Sequence, residues 1–272
     1  MVNLLAMDFC RIIKDKLFWI TAIIGGVFAL ITPLLYAALF HWIDQESMGK
    51  MLIGIAVDAK SQFFTAFHFG DNFGLVAPVL LAIVLCKDFS YGTVRNKIIG
   101  GYSRTKIYLS MLITCYVSLF TLMLCHALLT LGCSLLFFPY QEGGFDASAL
   151  IYLLGSVGLQ ALCYLFVSAL VCWLCIAMKN VGLTIVVYIA ITFLLTLIVS
   201  AIQLAVAAVP NQTLADVLMV INQINPFYQV GVIGQGETYT LEQLLYGVLS
   251  PVVAFGLFLA CGAHAFKKKD IC

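Results

Sequence analysis

Residues 87–138 read KDFSYGTVRNKIIGGYSRTKIYLSMLITCYVSLFTLMLCHALLTLGCSLLFF, and the change of character at Lys106 decides the fold. From Lys87 to Lys106 the chain carries five of its fourteen basic residues and one acidic residue, Asp88. From Ile107 to Phe138 it carries no Asp, Glu, Lys or Arg. An uncharged apolar run needs roughly 20 residues to cross the hydrocarbon core of a bilayer as a helix, and this one exceeds that. A second apolar run, Phe67 to Cys86, whose single charged residue is Asp71 near its start, precedes the basic stretch, which therefore reads as the connection between two membrane spans.

The rest of the chain has the same character. With 63% apolar and 10% charged residues and a mean hydropathy of +1.07, the composition is that of an integral membrane protein. Six windows can be drawn: Leu17 to Phe40, Phe67 to Cys86, Ile107 to Phe138, Ala149 to Met178, Val181 to Val209, and Leu241 to Phe266. Barrel strands would be short, alternating and separated by turns, whereas these runs are continuous, so the expected fold class is an all-α bundle of six transmembrane helices. The stretches between the windows are too short to bury a core of their own. One transmembrane domain, residues 1–272, is expected.

Lysine and arginine near helix ends stay on the cytoplasmic side. With both termini inside, the inner segments hold twelve of the fourteen: Arg11, Lys14, Lys16, the five of the 87–106 loop, Lys179, and Lys267, Lys268 and Lys269. Lys50 and Lys60 alone fall outside, among Asp44, Glu46, Asp58, Asp71, Glu142, Asp146, Asp216, Glu237 and Glu242. Asp8, Asp15, Asp88 and Asp270 are the inner acids, so a net charge of +1 conceals a polarised molecule. The apolar run after residue 16 is too long for a cleavable signal and reads as a retained first span. Within residues 1–16, Val2, Leu5, Phe9, Ile12 and Ile13 recur at helical spacing while Asn3, Asp8, Arg11, Lys14 and Asp15 face away. That is the pattern of an in-plane elbow helix at the membrane interface, the alternative being a plain positively charged anchor for the first span.

Several chemistries lose support. Cys172-Trp-Leu-Cys175 has redox spacing, but both thiols fall inside the fourth window with no histidine or carboxylate beside them, which favours apolar packing. Asp71 near the start of the second window and Glu242 at the start of the sixth are the only Asp, Glu, Lys or Arg in the six windows, and neither lies at depth. His126, Gln160 and Gln203, the strongly polar groups at depth, read as interhelical hydrogen-bond partners, which argues against a proton- or sodium-coupled carrier. Gly25-Gly26 and Gly155 with Gly158 read as ordinary packing positions more than as close helix contacts. The chain contains no catalytic motif, no metal-ligand set and no phosphate-binding loop, so no enzymatic activity is expected and any ATP and Mg must be bound by another polypeptide.

The 87–106 loop then carries the functional reading. Tyr91, Val94, Ile98 and Tyr102 share one helical face, while Arg95, Asn96 and Lys97 point elsewhere. Gly100 and Gly101 can end this short amphipathic helix, and Ser103 can cap the next one, with Arg104 and Lys106 at the membrane boundary. Such a helix, tied to two spans, can transmit force from a soluble partner. A simpler reading is a loop whose basic residues contact anionic lipid headgroups. In the last outer loop, residues 210–240, the apolar patch Val217 to Ile221 and the Asn225-Pro226 turn predict short helices folded back against the bundle.

The order Asp88, Gly92-Thr93, Arg95, then Ser103-Arg104 and Lys106 before a long apolar span resembles the type-2 exporter permeases of the ATP-binding-cassette transporters. The leader ending at Arg11 and Lys16 before Phe18-Trp19, the Asn225-Pro226-Phe227 turn and the Phe266 to Asp270 tail are similar in layout. That family commonly has glutamate at the position of Asp88 and proline before the serine-arginine pair, where this chain has Gly100-Gly101. The resemblance implies a half-transporter in the bacterial cytoplasmic membrane: two such subunits, identical or related, driven by cytoplasmic ATPase subunits docked under the loop helix. Asp88, Tyr91, Gly92, Thr93, Val94, Arg95, Ile98, Tyr102 and Arg104 are the implied coupling residues. Membrane lipid is a further expected partner, and nucleic acid is not. An uncharged path suits an amphipathic or apolar substrate such as an antimicrobial peptide, drug or lipid. The alternative is a non-transporting scaffold or immunity protein.

Overall fold

Inside a bilayer every backbone N–H and C=O must find its partner within the protein, so apolar runs of this length settle as helices. The computed structural model describes residues 1–42, 58–70, 72–141, 144–234 and 239–268, and all regular structure among them is helical. Its helices are α1 (Val2–Lys14), α2 (Lys16–Trp42), α3 (Ala59–Thr65), α4 (Asn72–Ser90), α5 (Thr93–Ile99), α6 (Arg104–Ser134), α7 (Ala147–Met178), α8 (Val181–Ala208), α9 (Gln212–Gln223), α10 (Pro226–Val232) and α11 (Leu241–Lys268). Lys16–Leu39 of α2, Phe73–Ser90 of α4, and the whole of α6, α7, α8 and α11 are long and apolar enough to cross a membrane. Asp44, Glu46, Lys50, Asp71, Glu142, Glu237, Lys269 and Asp270, which enter the charge pattern above, lie outside the described residues.

The turns follow local chemistry. Asp15 separates α1 from α2 with an extended backbone, accepts the Leu17 N–H at 2.9 Å, and is bridged by the Trp19 indole N–H donating to the Ile13 carbonyl at 2.8 Å. Between α7 and α8 the chain reverses in two residues, Lys179 in the left-handed region (φ 53°) and Asn180, whose Oδ1 accepts from the N–H groups of Gly182 and Leu183. Asn225 caps α10 by accepting from the Phe227 N–H at 3.0 Å, with Pro226 in the first turn, where its missing N–H costs nothing. Ser103 occupies the N-cap position of α6, but its side chain makes no capping bond there, contrary to expectation.

α7 is the hub, packing against α11, α6, α4 and α8, and 67% of its most apolar stretch is buried. α2, α8 and α11 form the periphery, with only 17%, 11% and 17% buried. The window boundaries shift, two of them inward by several residues. The second span begins at Phe73 and not Phe67, because residues 66–70 form a turn that plugs the bundle with Phe67 and Phe69. The Tyr164 hydroxyl donates to the Phe67 carbonyl at 2.8 Å and closes one of the polar groups this turn would otherwise strand. The third span ends at Ser134, where the chain leaves the helix through a turn.

Polar groups at depth divide. His126 Nδ1 lies 2.9 Å from the Gly25 carbonyl, linking α6 to α2, and Gln160 Nε2 donates to the Val230 carbonyl at 3.3 Å, linking α7 to α10. Gln203 does not follow them: it is exposed on α8, so its expected interhelical partner is absent within the described residues. Gly25 is a close-approach position and not an ordinary one, since a β-carbon there would meet the Phe73 ring at 2.6 Å. Cys172 and Cys175 are buried beside Cys115 and Cys86, thiols contributed by α6 and α4.

Candidate functional site

The connection between α4 and α6 is held at both ends by glycine. Gly92 enters α5 at φ 68° and Gly101 leaves it at φ 83°, values that side chains other than glycine rarely adopt, whereas Gly100 has an ordinary φ. Between them α5 makes fewer than two turns. Val94 is fully buried, and Ile98 and Tyr102 are half-buried against the core.

What fastens this short helix is charge. Lys97, expected to point away from the apolar face of this helix, is buried, and its Nζ sits 2.6 Å from Asp8 Oδ1. The second oxygen of Asp8 accepts from the Ser110 hydroxyl at 2.6 Å, so both oxygens of this buried carboxylate are used. Arg11 forms an ion pair with buried Asp88, and Asp15 Oδ2 takes Lys87 Nζ at 3.1 Å. Three ion pairs thus join α1 and its elbow to the end of α4 and to α5. Arg104 adds a fourth tie by donating to the Lys267 carbonyl at 2.8 Å, at the end of α11.

The buried face of α1 is therefore Leu4, Asp8 and Ile12, while Val2 and Ile13 are exposed. The expectation set Asp8 apart from the apolar face, whereas Asp8 shares the buried face with Leu4 and Ile12. At a membrane interface the apolar side of an in-plane helix can face lipid, which frees the polar side for the protein. Burial pushes the Lys97 ammonium below its ordinary pKa despite the opposing pull of Asp8, and does the same to Arg11. Asp15 lies below the usual carboxylate range: burial would raise it, but the Leu17 N–H and Lys87 together outweigh that.

The expected coupling residues separate into two groups. Asp88, Val94, Ile98, Tyr102 and Arg104 attach the loop to the rest of the protein, with Thr93 half-buried at the start of α5. Tyr91 and Arg95 project outward, joined by Ile99, which sequence reasoning missed. Arg95 and Ile99, the latter 74% exposed, lie four residues apart as a ridge on α5, and Tyr91, 76% exposed, stands in the turn just before it. Asp8, Arg11 and Asp15 were also missed as partners. The signal available was their alternating charge, which is matched in opposite sign by Lys97, Asp88 and Lys87.

An aromatic, an arginine and an aliphatic side chain on and beside a fixed ridge have the composition of a protein-docking surface. Residues 34–272 match the model of a family described as "Protein of unknown function (DUF2705)". No curated protein matches the chain.

Proposed function

Since the chain belongs to the DUF2705 family, whose description assigns no activity, its function has to come from its own residues, and we propose that it is the permease subunit of an ATP-driven exporter. The observation that carries this reading is the ridge of Arg95 and Ile99, with Tyr91 exposed in the adjoining turn, on a helix whose other side is locked by Val94 and by the Lys97–Asp8 pair. A soluble ATP-binding-cassette ATPase, which would hold the ATP and Mg, docks on this ridge from the cytoplasmic side, where both termini also lie. Force applied there passes through Val94 and Lys97 to α1 and α6, and through Asp88 to α4, so the docked helix and three others move as a unit. The sparsely buried α2, α8 and α11 favour a second permease subunit, identical or related, with the path for an amphipathic or apolar substrate between the two.

The test is recovery of the tagged chain from its native membrane in mild detergent, with quantitation of what accompanies it. A P-loop ATPase in near-equal amount is expected. The Arg95→Glu/Ile99→Glu variant should lose it by tenfold or more while keeping its own thermal midpoint, because both side chains are exposed. Arg95→Glu alone should lower substrate-stimulated ATP hydrolysis. A folded chain without any ATPase would overturn the exporter reading in favour of a scaffold.

A further inference from the structure

At the end of the bundle opposite α1, α9 and the start of α11 enclose a groove of about 570 Å³. Each helix presents the same spacing to it: Asp216, Met219, Val220 and Gln223 from α9, and Glu242, Leu245, Tyr246 and Leu249 from α11. Offsets of zero, three, four and seven place each set on a single helical face. The volume falls in the range of about 300–1,000 Å³ typical of sites for small organic ligands. The walls are mostly apolar, with Gln223 and Tyr246 adding polar groups, and each helix adds one carboxylate.

Those carboxylates are uncompensated. Between Lys179 and Lys267 the sequence has no lysine or arginine at all, while it has Asp216, Glu237 and Glu242. Neither Asp216 nor Glu242 is ion-paired among the described residues. This contrasts with Asp8, Asp15 and Asp88 at the other end, each of which has a cationic partner. Two carboxylates over low-dielectric apolar walls concentrate a negative potential in the groove, which repels anions and attracts a cation that can also fill the walls.

We infer that the α9–α11 groove binds a cationic amphiphile, a molecule with positive charge on an apolar body of drug-like size. An anion of the same shape lacks the charge match, and a small inorganic cation lacks the apolar contact. Placing the groove on the exit route rests on the exporter reading, and its orientation toward the outside follows from the charge pattern. The binding itself needs neither.

The experiment uses the full chain in nanodiscs of zwitterionic phosphatidylcholine, without any ATPase, and radiolabelled tetraphenylphosphonium as the probe, with empty nanodiscs as background. Saturable binding is expected, weakened at least tenfold in Asp216→Asn/Glu242→Gln and weakened also by Leu245→Gln. The isosteric anion tetraphenylborate and the small cation tetramethylammonium should each bind at least tenfold more weakly than tetraphenylphosphonium. Undiminished binding in the double carboxylate variant, or equal binding of tetraphenylborate, would overturn the inference. So would tetramethylammonium binding as tightly as the larger cation, because the site would then be ionic only. Both carboxylates are exposed and their replacements isosteric, so loss of fold does not confound the result. Failure here leaves the co-purification result standing, and failure to recover an ATPase leaves this binding measurement unaffected.

Discussion

Lys97→Met is expected to cost about 3–5 kcal/mol of stability, because it leaves the buried Asp8 carboxylate with the Ser110 hydroxyl as its remaining hydrogen-bond partner and with Arg11, already paired to Asp88, as the nearby cation. Methionine keeps most of the volume, so packing accounts for little of that loss. Replacing both partners, Lys97→Met with Asp8→Leu, removes the stranded charge and should return stability to within about 1–2 kcal/mol of the native chain. Equilibrium unfolding in mixed micelles measures both variants. A single substitution that costs less than about 1 kcal/mol, the range of exposed pairs, would contradict the burial described for this pair. The converse variant, Asp8→Asn, has a pH signature. Burial already holds the Lys97 pKa below its ordinary value, and loss of Asp8 lowers it further, while the unfolded chain keeps about 10.4. Between the two values the unfolded state binds more protons, so Asp8→Asn should regain stability as pH rises through that window. The double variant, having no lysine there, should not.

Gly74→Ala is expected to be the second severe substitution. A β-carbon on Gly74 would collide with the carbonyl oxygen of His68, a backbone atom that no rotamer change can move away. The whole 66–70 turn would have to lift from the first turn of α4, withdrawing Phe67 and Phe69 from the bundle and separating the Phe67 carbonyl from Tyr164. Overpacking alone costs about 1–3 kcal/mol, and the displaced rings add to it. Gly26→Ala, where a β-carbon meets no neighbour within 4 Å, is the matched control and should change the thermal midpoint little. Equal midpoints for the two variants would show that the turn does not pack on α4 as described.

Hydropathy made the spans legible because crossing a bilayer imposes a length and excludes charge, and both are properties of a single segment. It placed the second span too early because Phe67 and Phe69 are as apolar as any span residue, and a window average cannot distinguish a turn buried in protein from a helix in lipid. The orientation of α1 was misread for a related reason. Periodicity separates an apolar side from a polar one, but at an interface either side can be the one that meets the protein. Here Asp8 and Arg11 meet it because Lys97 and Asp88 supply opposite charges, a fact about two segments at once. Gln203 illustrates the same limit: its depth follows from its span, its direction does not. The loop helix itself could be read, but which of its residues hold and which project could not be settled until α1 was in place.

The long-range ties of α1 also order events during synthesis. Asp8 is made 89 positions before Lys97 and 102 before Ser110, and Asp15 72 before Lys87. When α1 leaves the ribosome its partners do not yet exist, and they reach it only after the chain has crossed the membrane and returned to the face where it began. A chain whose second span fails to insert, or inserts the wrong way round, leaves these acids and bases on separate faces with Asp8 unsatisfied. The three ion pairs of α1 and its elbow are therefore contacts that form only in a molecule whose first two spans are both threaded.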